Sequence, residues 1–320
     1  MSAAAGRFET VECKAMSSTT VWFGTLGSPS ARWRPLSPKA WTCVGALAIP
    51  LWATWPALAL RALEIPAFEC LSIAFLFGWF ILAGLERPSA NGAKDAAAVS
   101  WWRSWIPALA CAVGLSGSNA FHILATHSIP AAEANLLSYL WPVEIVGLGS
   151  LLGFFVLRRR QLIGLGMGFA GAVILMGGGA MSLSPTGIGF ALLSGVSWAF
   201  YCLFRLKWTA APVAVLSRGC AISTAFCAVL HLLLEPTVVP SVAALASSAA
   251  IGIVPLALGN LVWDKGFQRG DSQLLAVMAY ATPLCSAVLL AVLGLESFTW
   301  SLVVGAVVIV LAGYLSRAEG

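Results

Sequence analysis

Between residues 40 and 316 the chain is a succession of ten apolar stretches, most of them about 20 residues long. A stretch of that length crosses the roughly 30 Å hydrocarbon core of a bilayer as an α-helix. They run at 40–60, 65–85, 104–126, 131–156, 161–180, 187–204, 212–234, 242–263, 272–294 and 299–316. The segments between them are short, which suits a compact bundle of antiparallel neighbours. Of the 320 residues 59% are hydrophobic and only 10% charged, whereas soluble domains carry about 25% charged residues. The sequence predicts an all-α integral membrane protein with ten transmembrane helices.

The basic residues test this reading. With the N-terminus in the cytoplasm, 17 of the 18 Lys and Arg fall in segments on the cytoplasmic side, and only Arg61 does not. A wrong number of spans would scramble that alternation, so the pattern predicts a multi-pass protein with both termini cytoplasmic. The net charge of +5 is thus a matter of orientation and implies no nucleic-acid partner. Residues 1–38 mix Ser, Thr, Gly and Pro with basic residues, lack a signal-peptide pattern, and read as a disordered cytoplasmic tail.

An internal repeat divides the rest. Shifting the chain by 141 positions aligns Asn119 with Asn260, Tyr139 with Tyr280, Pro142 with Pro283, Gly153 with Gly294 and Gly164 with Gly305. A shift of 146 pairs Trp52-Ala53 with Trp198-Ala199. Repeat one is expected at 39–180 and repeat two at 181–320, with five spans each. Five is odd, so the second copy enters the membrane from the opposite side, giving two inverted five-helix repeats. In such proteins the ligand site lies near the midplane where the repeats meet, and access alternates between the two sides.

Several chemistries are missing. The eight cysteines form no C-x-x-C pair, no Cys/His cluster has zinc spacing, and no phosphate-cradling loop is present. No metal, no cofactor and no ATPase subunit is implied. Gly114-Leu-Ser116-Gly117, with His122, His127 and His231 as candidate bases, matches the short pattern of a rhomboid-type intramembrane serine protease. A four-residue match in a Gly/Ser-rich span is weak, and rhomboids lack a ten-span inverted duplication, so a non-enzymatic role is expected.

Ten spans in two inverted halves, with Pro142 and Pro283 in the fourth span of each, resemble the drug/metabolite transporter superfamily, EamA-type. Glu133-x5-Tyr139-Leu-Trp-Pro142, Trp198-Ala-Phe-Tyr-Cys202 and Trp263 are similar to the bacterial YddG-type aromatic amino-acid exporters. The resemblance implies export of amino acids, aromatic ones foremost, across the bacterial inner membrane. It also implies a central cavity lined by spans 1, 3, 4, 6, 8 and 9. Export of other small metabolites or of cationic drugs is the alternative.

Polar and aromatic residues inside a membrane span are expensive and mark function. At 100° per residue, Asn119, His122 and Thr126 share a face of span 3, and Asn260, Trp263 and Asp264 share one of span 8. Asn135, Tyr139 and Pro142 align in span 4, with Glu133 and Glu144 opposite. Gln273, Tyr280 and Pro283 align in span 9, and Ser194, Trp198, Tyr201 and Arg205 in span 6. The predicted substrate-binding set is Asn119, His122, Asn135, Tyr139, Trp141, Trp198, Tyr201, Asn260, Trp263 and Tyr280. Amides and hydroxyls would grip a zwitterion, and rings would hold an apolar side chain. Pro142 and Pro283 are candidate hinges, Glu133 a candidate gate, and Glu144 a candidate for proton coupling. Arg205 and Asp264 read as anchors at the cytoplasmic surface.

Overall fold

The computed structural model describes residues 36–86, 101–175, 184–208, 212–295, 297 and 300–315, and every regular element among them is helical. The predicted tail at 1–38 lies almost wholly outside the described residues, as do the triple glycine 177–179 and Arg317. Residues from Pro38 onward cluster as one unit.

Three short helices, α1 (Pro38–Ala46), α2 (Ala48–Ala53) and α3 (Trp55–Ala59), follow one another along the first span. Then come α4 (Ala67–Leu85) and α5 (Trp101–Thr126). The fourth apolar stretch is broken into α6 (Ala131–Ser138) and α7 (Trp141–Leu151), and α8 (Arg159–Leu175) follows. The second half contains α9 (Pro185–Lys207), α10 (Pro212–Leu234), α11 (Val242–Ile251), a π-helical segment Gly252–Gly259, and α12 (Asn260–Arg269). It ends with α13 (Ser272–Met278), α14 (Ala281–Val292) and α15 (Trp300–Leu315). Among the described residues, seven helices are long and apolar enough to cross a membrane: 38–59, 67–85, 105–126, 185–207, 213–234, 242–269 and 272–292. The broken α6–α7 pair, α8 and α15 fall short as single helices.

The breaks have local causes. Pro142 stands at the start of α7, where its missing N–H removes nothing that an α-helix needs and its ring stops α6 from running on. Pro283 plays the same part in the first turn of α14. Pro255 lies inside the π segment; a proline within a helix removes a backbone bond, and the wider i→i+5 turn absorbs the misfit. Two glycines have positive φ, Gly153 at 78° and Gly294 at 69°. They end α7 and α14, and they are the pair that the 141-residue offset aligns. A side-chain-bearing residue in that left-handed region would be strained.

The packing follows a pattern across the halves. α9 lies along α5 and α7, while the first span lies along the π segment, α12 and α14. α10 pairs with α4, and α8 with α15. Where the first span meets α12 the backbones touch: a Cβ on Gly266 would stand 2.3 Å from Gly45 Cα. The main core joins α2, α4, α5, α9, α10, the π segment and α12, and a smaller one lies under α8 and α15.

Candidate functional site

A cavity of about 290 Å³ lies among the helices. Its lining comes from α2–α3 (Trp52, Trp55, Pro56), α5, α6–α7, α9, the π segment with α12, and α14; among the described residues α4, α8, α10 and α15 contribute nothing. These are spans 1, 3, 4, 6, 8 and 9 of the sequence reading.

Three indoles, Trp52, Trp141 and Trp198, form its floor, and a fourth, Trp263, lies beneath them. Trp52, Trp141, Trp198 and Trp263 meet edge to face or tilted, with centroids 5.0–6.3 Å apart. Such contacts add about 0.5–1.5 kcal/mol each beyond burial, so the floor is a rigid aromatic raft. One polar bond fixes its neighbour: Trp52 Nε1 donates to Asn260 Oδ1 at 3.0 Å. An indole N–H can only donate, so it takes the amide oxygen of Asn260, a cavity-lining residue, and leaves the NH₂ donors to other partners. Asn119, by contrast, already donates from Nδ2 to the Leu115 carbonyl at 2.8 Å.

The wall between α5, α6 and α9 is hydroxyl-rich. Ser194 Oγ donates to the Ser118 carbonyl at 2.9 Å, and His122 Nδ1 lies 3.1 Å from Ser138 Oγ. From there the lining reaches Asn135, which is exposed. The open end is therefore the one bearing the connections 60–66, 127–130 and 235–241. At its margin Glu235 accepts from the backbone N–H groups of Phe68 and Glu69, and His231 sits 3.1 Å from Glu235 and 3.0 Å from Thr237. Ser241 donates its backbone N–H to Glu64 Oε1 at 2.5 Å, and its backbone and hydroxyl hold that exposed carboxyl below the usual carboxylate range.

The opposite end, with Arg205, Lys207, Lys265 and Arg269, is shut. Arg205 and Asp264 are 0% and 1% exposed. They form a two-pronged ion pair, Nη2 to Oδ2 at 2.8 Å and Nε to Oδ1 at 3.0 Å, and Arg205 Nη1 also donates to the Trp208 carbonyl at 2.8 Å. The expected surface anchors are instead one buried pair joining α9 to α12. Trp263 stacks on Phe267 directly above.

Of the predicted substrate-binding residues, Asn119, His122, Asn135, Tyr139, Trp141, Trp198 and Asn260 line the cavity. Trp263 lies one layer beneath it, against Trp52 and Trp141. Tyr201 is buried against α5, where Gly114 makes room for its Cβ. Tyr280 faces α8, over Gly168. The span 9 face read from Gln273, Tyr280 and Pro283 thus turns to α8, where Gln273 bonds Gln161 at 2.8 Å; Thr282 and Ser286 face the cavity in its place. Pro142 and Pro283 are buried at the two breaks. Glu133 lies on α6 with its side chain outside the described residues. Glu144 is turned to Gly195 of α9. Ser116 donates to the Ala112 carbonyl, and among the described residues no histidine is bonded to it.

Trp52 had a signal that went unused, its repeat pairing with Trp198. Trp55 and Pro56, three and four residues on, share its helical face. Pro255 and Leu256 had only the proline as a flag.

A helical membrane bundle with an aromatic cavity open at one end is built as a carrier of small molecules is built. The chain belongs to the EamA-like transporter family: that family's model matches residues 185–317, and a relative matches nearly the whole chain. That relative, the aromatic amino acid exporter YddG of Ancylobacter novellus, is 31% identical over 280 residues, which are 86% of this chain and 96% of its own. The uncharacterized inner membrane transporter YedA of Escherichia coli K12 is 27% identical over 284 residues, 83% of this chain and 85% of its own. A protein crystal structure superposes with a TM-score of 0.77 at 29% identity, covering 87% of this chain and 96% of that one.

Proposed function

We propose that the protein is a secondary transporter that exports amino acids, aromatic ones foremost, by alternating access across a bacterial inner membrane. The observation that carries the reading is the cavity: an indole floor for an aromatic ring, with the Asn260 amide in its lining as a donor for a carboxylate. Its volume of about 290 Å³ is near the lower limit for ligand pockets, about 300–1,000 Å³, and suits one small solute. Similarity to an aromatic amino acid exporter supports the same substrate class. A cationic drug would want a carboxylate in the lining, and Glu144 is not among the lining residues.

The machinery is ten spans in two inverted repeats. Its supports are Gly153 and Gly294, equally left-handed, and the two breaks beside Tyr139 and Tyr280. Exchanging the halves carries the α9–α5 pairing onto that of the first span with α11–α12, and leaves α4–α10 and α8–α15 in place. The basic end is then cytoplasmic, both termini lie on that side, and this conformation faces outward. Asn119, His122, Asn135, Tyr139, Trp141, Trp198 and Asn260 contact substrate; Pro142 and Pro283 are the hinges, and Glu133 stands at the outer mouth.

The test is counterflow of labelled amino acids in proteoliposomes. Tryptophan and phenylalanine are expected to exchange faster than threonine or methionine. Exchange of none of them would overturn the reading.

A further inference from the structure

Three buried oxygens beside the cavity lack any hydrogen-bond partner: Glu144 Oε2, the Tyr280 hydroxyl and Thr282 Oγ1. They come from α7, from the joint between α13 and α14, and from the first turn of α14. Tyr280 is wholly buried and Thr282 is 5% exposed. α13, which leads into Tyr280, packs against α7, the helix that carries Glu144. Gly195 gives that carboxyl its place: a Cβ there would stand 2.0 Å from Glu144 Oε2. Gly195 itself lines the cavity, so a residue without a side chain is what separates the carboxyl from the substrate space.

Glu144 is half-buried, with Oε2 sealed from solvent, and a carboxylate ionised there without a partner is costly. Among the described residues no cation offsets that cost. From α9 the neighbour is Gly195, and Arg205 of the same helix is committed to Asp264. α13 carries no titratable side chain, and beyond it the facing group is Tyr280. His122 of α5 is engaged with Ser138. A hard metal cation collects about six or more oxygens, and three with a single charge do not hold one. A proton needs only one of them.

We propose that Glu144 is a proton-carrying site of the transport cycle, neutral in this conformation and ionised in the alternate one. On release the carboxylic O–H bond breaks, its electron pair stays on the carboxylate, and the proton passes to water in the cavity. The Tyr280 and Thr282 hydroxyls, which donate to nothing here, are the donors that then hold the charge. Both helix breaks adjoin the site, so movement at either alters what surrounds the carboxyl. The part played in the cycle rests on the transporter reading; the bound proton does not.

Two measurements test it. In proteoliposomes with a trapped pH dye, tryptophan efflux is expected to drive protons the opposite way. Glu144→Gln should cut that proton flow at least tenfold while tryptophan counterflow stays within about twofold. Proton flow equal to that of the native protein in this variant overturns the proposal. Independently of any substrate, infrared spectra at neutral pH should show a carboxylic C=O band that Glu144→Gln removes; its absence from the native protein also overturns it. The band without any amino-acid counterflow would sink the export reading and leave the proton site standing. If Glu144→Gln does not fold, Tyr280→Phe replaces it, and there the band should persist to higher pH. An unmoved band counts against the proposal.

Discussion

The two ends of the bundle solve opposite problems with similar residue types. At the open end the polar groups are pushed to the margin, where Glu64, Glu69, His231 and Glu235 tie connections to helix ends and leave the centre empty. At the basic end the polar groups are drawn to the centre, where Arg205 and Asp264 plug the space between α9 and α12. Among these marginal groups only Glu64 keeps its water; Glu69 and His231 are buried and are tolerated because each has hydrogen-bond partners. Charge at a centre gives up its water and is tolerated only as a complete pair. The comparison teaches that one end is closed by a buried ion pair across its centre, while at the other the same residue types brace connections and helix ends around it.

The sharpest way to break this contrast is to remove half of the buried pair. Asp264→Ala leaves a guanidinium stranded and should destabilise the protein by about 3–5 kcal/mol. Thermal unfolding in detergent reads the loss, and an unchanged midpoint would mean that water reaches the pair. Next comes the backbone contact nearby. Gly266→Ala forces a methyl group against Gly45, with backbone on both sides and no flexible side chain to give way. It should cost about 1–3 kcal/mol, whereas Gly84→Ala, with nothing within 4 Å, should leave the midpoint where it was.

At the cavity the effects move from stability to binding. Asn260→Ala removes the amide donors from the lining and should weaken tryptophan binding by about 1.5–3 kcal/mol, roughly 10- to 100-fold. Asn119→Ala should weaken it less, because one of that amide's two N–H donors is already taken by the Leu115 carbonyl. Equal losses in calorimetry would erase the asymmetry between these two repeat-related residues. The smallest effect belongs to the margin. The Glu64 carboxyl is held below its ordinary value, so its bond to Ser241 contributes above the unfolded pKa, about 4.3, and is lost as pH falls through the lower folded value. Glu64→Gln removes that contribution, so it should lower stability slightly at pH 7, where this exposed carboxyl is ionised, and flatten the fall in stability across the acidic window.

Much of the fold could be read before any coordinates. Apolar run length gives the helices, and the 141-residue offset picks out both breaks and both left-handed glycines, because a turn demands the same residue wherever it is used. The site was legible where a helix stays regular. Asn119 and His122 face the cavity as a constant 100° step requires. The same step misplaces Tyr280, because α13 and α14 are separate helices and the joint turns that ring towards α8. It also had no means of pairing Arg205 with Asp264. They lie 59 positions apart, and their meeting depends on how α9 and α12 cross. Tyr139 and Tyr280 occupy matching sequence positions in unlike surroundings, a difference of conformation and not of composition.

The π-helical turn at Gly252–Gly259 has a consequence for how this chain tolerates length changes. A π turn arises when one extra residue is accommodated in an otherwise α-helical run, so losing one residue there would let the rod relax to ordinary pitch. The wide turn takes up that residue locally, so what lies beyond keeps its facing, with Asn260 at the cavity and Asp264 at its guanidinium. A residue lost from the regular turns between Asn260 and Asp264 has no such slack to draw on, and would rotate Asp264 away by about 100°.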